Sequence, residues 1–261
     1  MARRIAIGNN KGGVGKSTDT VRLAEALAKA GHRVGVAEMD PQGNASRRLG
    51  VRLGPGMLTM ADALKSAAEG VAAQVWQPCG WDAPYASNIA VLPANFTLED
   101  RAPEAGERGA YRRLWKVLKG ADDHLDYLLI DCQPSLGHLT DMALAASHVA
   151  VSATEAEFDS LEAAIRFRDF IALVRDDLGN PELEFVGVIV NAFDQRVGSQ
   201  VDQLANTRER FGEQVWGVVP QRALLADADA GALPLSAMAG SNEVRAVFEL
   251  LGQRLVKEVP A

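Results

Sequence analysis

Seven residues near the start of the chain, Lys11-Gly-Gly-Val-Gly-Lys-Ser17, have the composition of a phosphate-binding loop. The glycines allow a tight turn that points several backbone N–H groups inward, and the helix expected to follow adds the partial positive charge of its N-terminus. In such a loop Lys16 reaches the β- and γ-phosphates of a nucleotide, and the hydroxyl of Ser17 suits Mg²⁺. The pattern G-x-x-x-x-G-K-[ST] requires glycine where this chain has Asn10, a residue that adopts left-handed backbone less freely.

Two aspartates follow apolar runs that predict buried strands. Tyr127-Leu-Leu-Ile-Asp131 ends in a carboxylate, and the run from Arg33 to Met39 is followed by Asp40 and then by Pro41, which ends the strand. Ligands bind outside the carboxyl ends of the strands in open α/β sheets, so both aspartates are candidates for a nucleotide site. A carboxylate such as Asp131 beside a phosphate-binding loop would hold Mg²⁺ through water.

The elements that must position these groups alternate between short apolar strands and helices. Ile5 to Gly8 predicts a strand, Thr18 to Ala30 has apolar residues at helical spacing, and Arg33 to Met39 predicts the next strand. This order indicates a right-handed βαβ unit. About seven strands alternate with helices, which predicts an α/β fold with a doubly wound, mainly parallel sheet. No Pro/Gly/Ser-rich linker divides residues 1–261, so we expect a single domain.

Residues 47–109 have weaker patterns. Leu58 to Ala73 predicts a helix, Gln77 to Tyr85 predicts a loop, and the polar stretch from Phe96 to Gly109 predicts partly irregular structure. The cluster Arg47-Arg48…Arg52 is expected to be solvated, with a secondary phosphate contact as the alternative.

The composition excludes several classes of protein. The formal net charge is −7, so contact with nucleic acid must come from a local basic patch rather than from overall attraction. The two cysteines, Cys79 and Cys132, lack C-x-x-C spacing, which argues against a disulfide framework or a cysteine-ligated zinc site and favours a reducing cytoplasm. No N-terminal run resembles a signal peptide, and no apolar run reaches the length of about 18 residues that predicts a membrane helix.

Three stretches together resemble one family. Lys11 to Ser17, Asp40-Pro-Gln-Gly-Asn44 and Leu129-Ile-Asp131-Cys-Gln-Pro-Ser-Leu-Gly137 resemble the deviant Walker-A P-loop NTPases of the ParA/MinD family, and among them the ParA-type partition ATPases. The likeness runs from Arg4 to about Val256. It implies that the chain binds ATP and Mg²⁺.

The resemblance also implies roles for single residues. Lys16 is the P-loop lysine, and Lys11 is the family's additional lysine, which reaches the nucleotide of the partner subunit across a sandwich dimer. Ser17 and the Walker-B carboxylate Asp131 would bind Mg²⁺, and Asp40 would orient the attacking water or the metal. The residues implied at the nucleotide are Lys11, Gly12, Gly13, Val14, Gly15, Lys16, Ser17 and Thr18, with Asn191, Pro220 and Arg222 at or beside adenine.

The sequence departs from the family's pattern at several positions. Glu38 stands where Asp is common, Asp19 occupies a usually small or hydroxylic place in the first turn of the P-loop helix, and Gln133 and Ser152 stand where proline is common. The arginine pattern that the family uses for DNA is only partly present, because residues 196–261 hold 7 lysines and arginines against 8 aspartates and glutamates. The candidates for DNA contact are Arg196, Arg222, Arg245 and Arg254.

The function that the resemblance implies is that of a cytoplasmic, nucleoid-associated partition ATPase. ATP would close a homodimer that binds DNA non-specifically, and a separate centromere-binding (ParB-like) protein would stimulate slow hydrolysis of ATP. A MinD-like membrane switch is an alternative, but residues 255–261 lack a basic amphipathic tail, so no membrane partner is expected. A metabolic ATP-dependent synthase on the same fold is another alternative, against which Lys11 and the stretch from Asp40 to Asn44 weigh.

Overall fold

Eight strands form one sheet in the computed structural model, which describes residues 1–261. In chain order they are β1 (Arg3–Gly8), β2 (Val34–Met39), β3 (Gln77–Pro78), β4 (Ile89–Leu92), β5 (Tyr127–Cys132), β6 (Val149–Glu155), β7 (Glu184–Phe193) and β8 (Val215–Pro220). Across the sheet their order is β3-β4-β2-β5-β1-β6-β7-β8. Every neighbouring pair is parallel except β3 and β4, so the predicted α/β, mainly parallel sheet is confirmed.

Nine α-helices connect or flank these strands. They are α1 (Lys16–Lys29), α2 (Asn44–Arg48), α3 (Met60–Ser66), α4 (Arg113–Leu118), α5 (His138–Ala146), α6 (Phe158–Val174), α7 (Gly198–Phe211), α8 (Ala223–Gly231) and α9 (Asn242–Glu258). None of the nine combines the length and the apolar character that crossing a bilayer requires.

Three local predictions in the weakly patterned region differ from the structure. The helix expected from Leu58 to Ala73 is shorter, because Ala67 adopts left-handed backbone (φ 49°) and ends α3; a 3₁₀ turn follows at Val71–Gln74. The segment from Gln77 to Tyr85, expected to be a loop, contributes β3. This two-residue edge strand raises the number of strands from the predicted seven to eight. Residues 96–106 form a 3₁₀ helix rather than irregular structure.

Helices cover both faces of the sheet, as a doubly wound fold requires. Successive residues of β1 point to opposite faces, so Ile5 and Ile7 join one core cluster while Ala6 joins the other. The first cluster contains the apolar sides of α1 and α9, and the second contains those of α4, α5 and α6. With both faces buried, the central strands are continuously apolar, which is why their positions could be predicted from sequence.

The start of β1 is fixed by a buried ion pair. Arg4, 1% exposed, donates from Nε to Asp122 Oδ2 (2.7 Å) and from Nη2 to Asp122 Oδ1 (3.1 Å) and Leu118 O (3.2 Å). These bonds join β1 to the segment that leads into β5. They help to hold the two central strands, and the loops that follow them, in a fixed relation.

Candidate nucleotide-binding site

The predicted phosphate-binding loop lies between β1 and α1, at the carboxyl edge of the sheet. Gly13 (φ 80°) and Gly15 (φ 95°) adopt left-handed backbone, which favours glycine, whereas Asn10 does not need it. The buried side chain of Asn9 accepts a bond from Lys11 N (2.9 Å) and donates to Ala153 O (2.7 Å), so it ties the loop to β6. The loop therefore turns tightly where the glycines stand.

Lys16 lies within this loop and is almost fully buried. Its ammonium donates to the carbonyl oxygen of Lys11 at 2.8 Å, so it is folded over the turn at the N-terminus of α1. Burial lowers the pKa of Lys16, while the nearby carboxylate of Asp131 acts in the opposite direction. A buried ammonium whose only bond partner is one carbonyl has two further N–H donors for phosphate oxygens.

Asp131 lies beside the loop with one carboxylate oxygen unpaired. It is fully buried, its Oδ1 accepts from Thr20 Oγ1 at 3.3 Å, and its Oδ2 has no partner. Burial raises the pKa of Asp131 to about 6. A divalent cation is a suitable partner for such an oxygen. No group of three or more His, Cys, Asp or Glu side chains is arranged to hold a metal ion, so Mg²⁺ here would take phosphate oxygens and water as its further ligands.

The sheet brings Asp40 to the same edge. β2 lies next to β5, with Glu38 opposite Asp131 in the register, and Asp40 follows the end of β2. The buried Oδ1 of Asp40 accepts from Gln42 N at 2.9 Å, which fixes the carboxylate at the start of the following turn.

Glu38 has a positional role that sequence analysis missed. Its carboxylate accepts from Ala45 N (2.8 Å), Ser46 N (3.2 Å) and the Ser46 hydroxyl, so it caps the N-terminus of α2 from inside the sheet. It is fully buried, and burial raises its pKa to about 8. The sequence did indicate such a role, because an acidic residue within a predicted buried strand requires hydrogen-bond partners.

An open cleft of about 910 Å³ extends from the loop to the end of β8. The three residues implied at or beside adenine, Asn191, Pro220 and Arg222, all line it together with Gly13, Gly15 and Thr18. The structure therefore brings the predicted base residues and the phosphate loop to one cleft. Asn191 packs against the loop so closely that a Cβ atom on Gly15 would lie 2.6 Å from its Nδ2.

The opposite wall of the cleft comes from α2 and α8, which were not predicted as helices. Thr18 Oγ1 donates to Asp229 Oδ2 at 2.9 Å and accepts from Arg48 Nη1 at 2.8 Å. Arg47 and Arg48 both line the cleft, where Arg48 lies 3.1 Å from Asp229, and Arg52 does not line it; a secondary phosphate contact by this cluster stays a prediction. No local pattern indicated Asp229.

Lys11 is bound within its own chain in this structure. Its ammonium lies 3.0 Å from Glu157 Oε2 and 2.7 Å from Ser160 Oγ, at the start of α6. The lysine side chain is 31% exposed and that of Glu157 is 54% exposed. The two lysines of the loop thus point to different partners, Lys16 to the loop itself and Lys11 to α6.

The four arginines proposed for DNA contact do not form one patch. Arg196 pairs with Asp194 (2.7 Å) and Arg222 pairs with Glu243 (2.7 Å). Arg254 lies 3.8 Å from Glu258 and donates to the carbonyl of Glu213. Arg196 and Arg222 share the nucleotide cleft, whereas Arg245 lines a separate groove beside α1. Carboxylates thus offset most of the positive charge at these positions.

Two of the sequence departures are buried beside the loop. Ser152 lies in β6, where its hydroxyl is 3.3 Å from the Asn9 amide nitrogen. Asp19 is fully buried in the first turn of α1 and accepts from Asn191 Nδ2 at 2.7 Å. Gln133 lies in the turn after β5 and is partly exposed.

Comparison with known proteins gives concordant matches. A family model described as an AAA domain matches residues 2–185. The chromosome-partitioning ATPase Soj of Thermus thermophilus is 37% identical over 229 residues, which cover 87% of this chain and 84% of that protein. The chromosome partitioning protein ParA of Caulobacter vibrioides is 34% identical over 238 residues, which cover 89% of this chain and 86% of that protein.

Solved structures share the fold over most of the chain. Apo McdA of Cyanothece superposes with a TM-score of 0.85 at 21% identity, covering 98% of this chain and all of that one. Cobyrinic acid a,c-diamide synthase of Mycobacterium smegmatis, with bound ADP and magnesium, superposes with a TM-score of 0.74 at 26% identity, covering 89% of this chain and 93% of that one.

Proposed function

This chain belongs to the AAA domain family as a P-loop ATPase of the ParA/MinD type, and we propose that it is an ATP-hydrolysing partition protein of the cytoplasm and nucleoid. The observation that carries this proposal is the identity of about a third with two chromosome-partitioning proteins over nearly nine tenths of the chain. The geometry of the loop, with Lys16, Asp131 and Asp40 at one sheet edge, supports nucleotide chemistry at the same site.

Phosphoryl transfer to water requires positioning and charge neutralisation rather than a covalent intermediate. The backbone amides of the loop and the ammonium of Lys16 would hold the phosphates, and the Ser17 hydroxyl and Asp131 would hold Mg²⁺. When bound, Mg²⁺ neutralises charge on the β- and γ-phosphates. Asp40, fixed by its bond from Gln42 N, would orient the attacking water.

The proposed switch is an ATP-dependent homodimer in which Lys11 reaches the nucleotide of the partner subunit. In the present structure Lys11 is held by Glu157 and Ser160, so dimerisation would require it to leave them. The dimer would bind DNA without sequence preference, and a centromere-binding (ParB-like) protein would stimulate hydrolysis and release it.

DNA binding is the part of the proposal that depends most on dimerisation. Within one subunit Arg196 and Arg222 are paired with carboxylates, and the chain has a formal net charge of −7. A patch strong enough to bind phosphates would therefore form from two subunits together or from rearranged ion pairs. Binding that rests on phosphate contacts falls steeply as salt increases.

The direct test is binding to a fluorescently labelled duplex, measured by anisotropy with ATP and with ADP at two salt concentrations. We expect Mg²⁺–ATP to promote binding, higher salt to weaken it, and Lys16→Ala to abolish the ATP effect. Lys65→Ala, which removes an exposed lysine on α3, is the matched control and should behave as wild type. Equal, salt-insensitive binding with both nucleotides would refute the DNA switch.

A metabolic synthase remains the second candidate function, because the cobyrinic acid a,c-diamide synthase shares the fold at 26% identity. A synthase would consume ATP only in the presence of a carboxylate acceptor. Turnover that requires no acceptor, and that DNA together with a partner protein accelerates, would favour the partition ATPase.

A further inference from the structure

The side-chain amide of Asn191 is held in a single orientation beside the nucleotide cleft. Its Nδ2 lies 3.0 Å from the carbonyl oxygen of Val14 and 2.7 Å from Asp19 Oδ2. A backbone carbonyl can only accept hydrogen bonds, so the amide atom that faces Val14 must be the nitrogen. Both N–H groups of Asn191 are thereby used, and its Oδ1 is left as a free acceptor on a residue that lines the cleft.

The carboxyl group of Asp19 is buried with a single hydrogen-bond partner. It is fully buried in the first turn of α1, its Oδ2 bonds only to Asn191, and its Oδ1 has no partner. A buried carboxyl group so placed is unfavourable for phosphate binding and for stability. The only hydrogen bond that the Asp19 side chain makes is the one it accepts from Asn191, so we look for its role in that bond.

We propose that Asp19 is a positioning residue for base selection, an inference that rests on the proposed function because it assumes that the cleft receives ATP. By holding the Asn191 nitrogen against Val14 and itself, Asp19 directs the Asn191 oxygen toward the base. An acceptor in that place takes a hydrogen bond from the 6-amino group of adenine. It leaves the 6-oxo group of guanine or hypoxanthine without a donor, and two facing acceptors are unfavourable.

The shape of the cleft agrees with a planar base at this end. Beyond Asn191 the lining is Val219, Pro220 and Ala226, which offer apolar surface for the faces of a purine. In the sheet, β7, which carries Asn191, lies between β1, which leads into the phosphate loop, and β8, which ends at Pro220. A nucleotide whose phosphates lie on the loop would therefore bring its base past the Asn191 oxygen.

The test compares ADP with inosine diphosphate, which differ at the 6-position and share the same phosphates. Dissociation constants with Mg²⁺ would be measured by calorimetry for wild type, Asp19→Val and Asp19→Asn. We expect wild type to prefer ADP, and Asp19→Val to reduce that preference about tenfold, the effect of losing one hydrogen bond, with the affinity for inosine diphosphate unchanged. Asp19→Asn should retain the preference, since its amide oxygen accepts the same bond.

The control is Asp141→Asn, which alters a partly buried carboxylate in the first turn of α5 that does not line the cleft. It should bind both nucleotides as wild type does. An unchanged preference in Asp19→Val, or an equal loss of both affinities, would overturn the role of Asp19 alone. Failure of the wild-type protein to bind either nucleotide would overturn the proposed function as well.

Discussion

Removing the ion pair and the hydrogen bond that hold Lys11 within its own subunit should tighten the ATP-dependent dimer. The double variant Glu157→Gln with Ser160→Ala deletes an ion pair of 3.0 Å and a hydrogen bond of 2.7 Å to the lysine ammonium. Both contacts must break before Lys11 can extend to a partner subunit. Their loss makes dimerisation more favourable and leaves the residues of the phosphate loop unchanged.

The size of the effect follows from exposure. An ion pair as open to solvent as Lys11–Glu157 contributes about 0.5 kcal/mol, and the hydrogen bond to the buried Ser160 contributes about 1 kcal/mol. The total is about 1.5 kcal/mol per subunit and about 3 kcal/mol for a symmetric dimer, in which two lysines are released. This corresponds to a dimer dissociation constant about a hundredfold lower.

Sedimentation equilibrium with ATP and Mg²⁺ measures that constant. Asp40→Ala serves as a common background, since we expect it to bind ATP and hydrolyse it poorly. Asp159→Asn is the matched control, because it removes a negative charge from the same turn of α6 and forms no bond with Lys11. A dimer no tighter in the double variant than in the control would refute the reasoning that Lys11 is restrained by these contacts.

Two further predictions concern the stability of the nucleotide-free protein. Asp122→Ala leaves Arg4 buried without its partner and should lower the unfolding free energy, measured by urea denaturation, by about 3–5 kcal/mol. The control Asp123→Ala removes the partner of an exposed ion pair and should change the unfolding free energy by less than about 1 kcal/mol. Equal losses in the two variants would contradict the role of the buried pair. Burial raises the pKa of Glu38 from about 4.5 to about 8, so the folded state retains a proton that the unfolded chain releases. The unfolding free energy should therefore fall as pH rises from about 5 to about 8, and Glu38→Gln should reduce the slope of unfolding free energy against pH. An unchanged slope in this variant would show that a group other than Glu38 causes the pH dependence.

The central part of the site could be predicted because its physical requirements are local. A glycine loop followed by Lys16 and Ser17, and an aspartate at the end of a buried strand, each have a recognisable pattern within a few residues. The parallel sheet then brings the ends of β1, β2 and β5 to one edge, so Asp131 and Asp40 lie near the loop as expected. Strongly apolar central strands made that sheet predictable.

The parts that were missed depend on contacts distant in sequence or on elements too short to show a period. α2 has five residues and β3 has two, too few for a hydrophobic repeat. The partner of Lys11 is on α6, that of Asp19 is on β7, and that of Arg222 is Glu243 on α9. The carboxylates that pair with the proposed DNA arginines could not be identified without the fold.

The measurement that bears most directly on the proposed switch is light scattering after size exclusion on Asp40→Ala, with and without Lys11→Ala. With ATP and Mg²⁺ we expect Asp40→Ala to elute as a dimer and with ADP as a monomer. Adding Lys11→Ala should return the ATP-bound protein to a monomer, since the cross-subunit lysine is lost. A monomer under every condition, or a dimer that forms equally well without Lys11, would contradict an ATP-closed dimer as the basis of function.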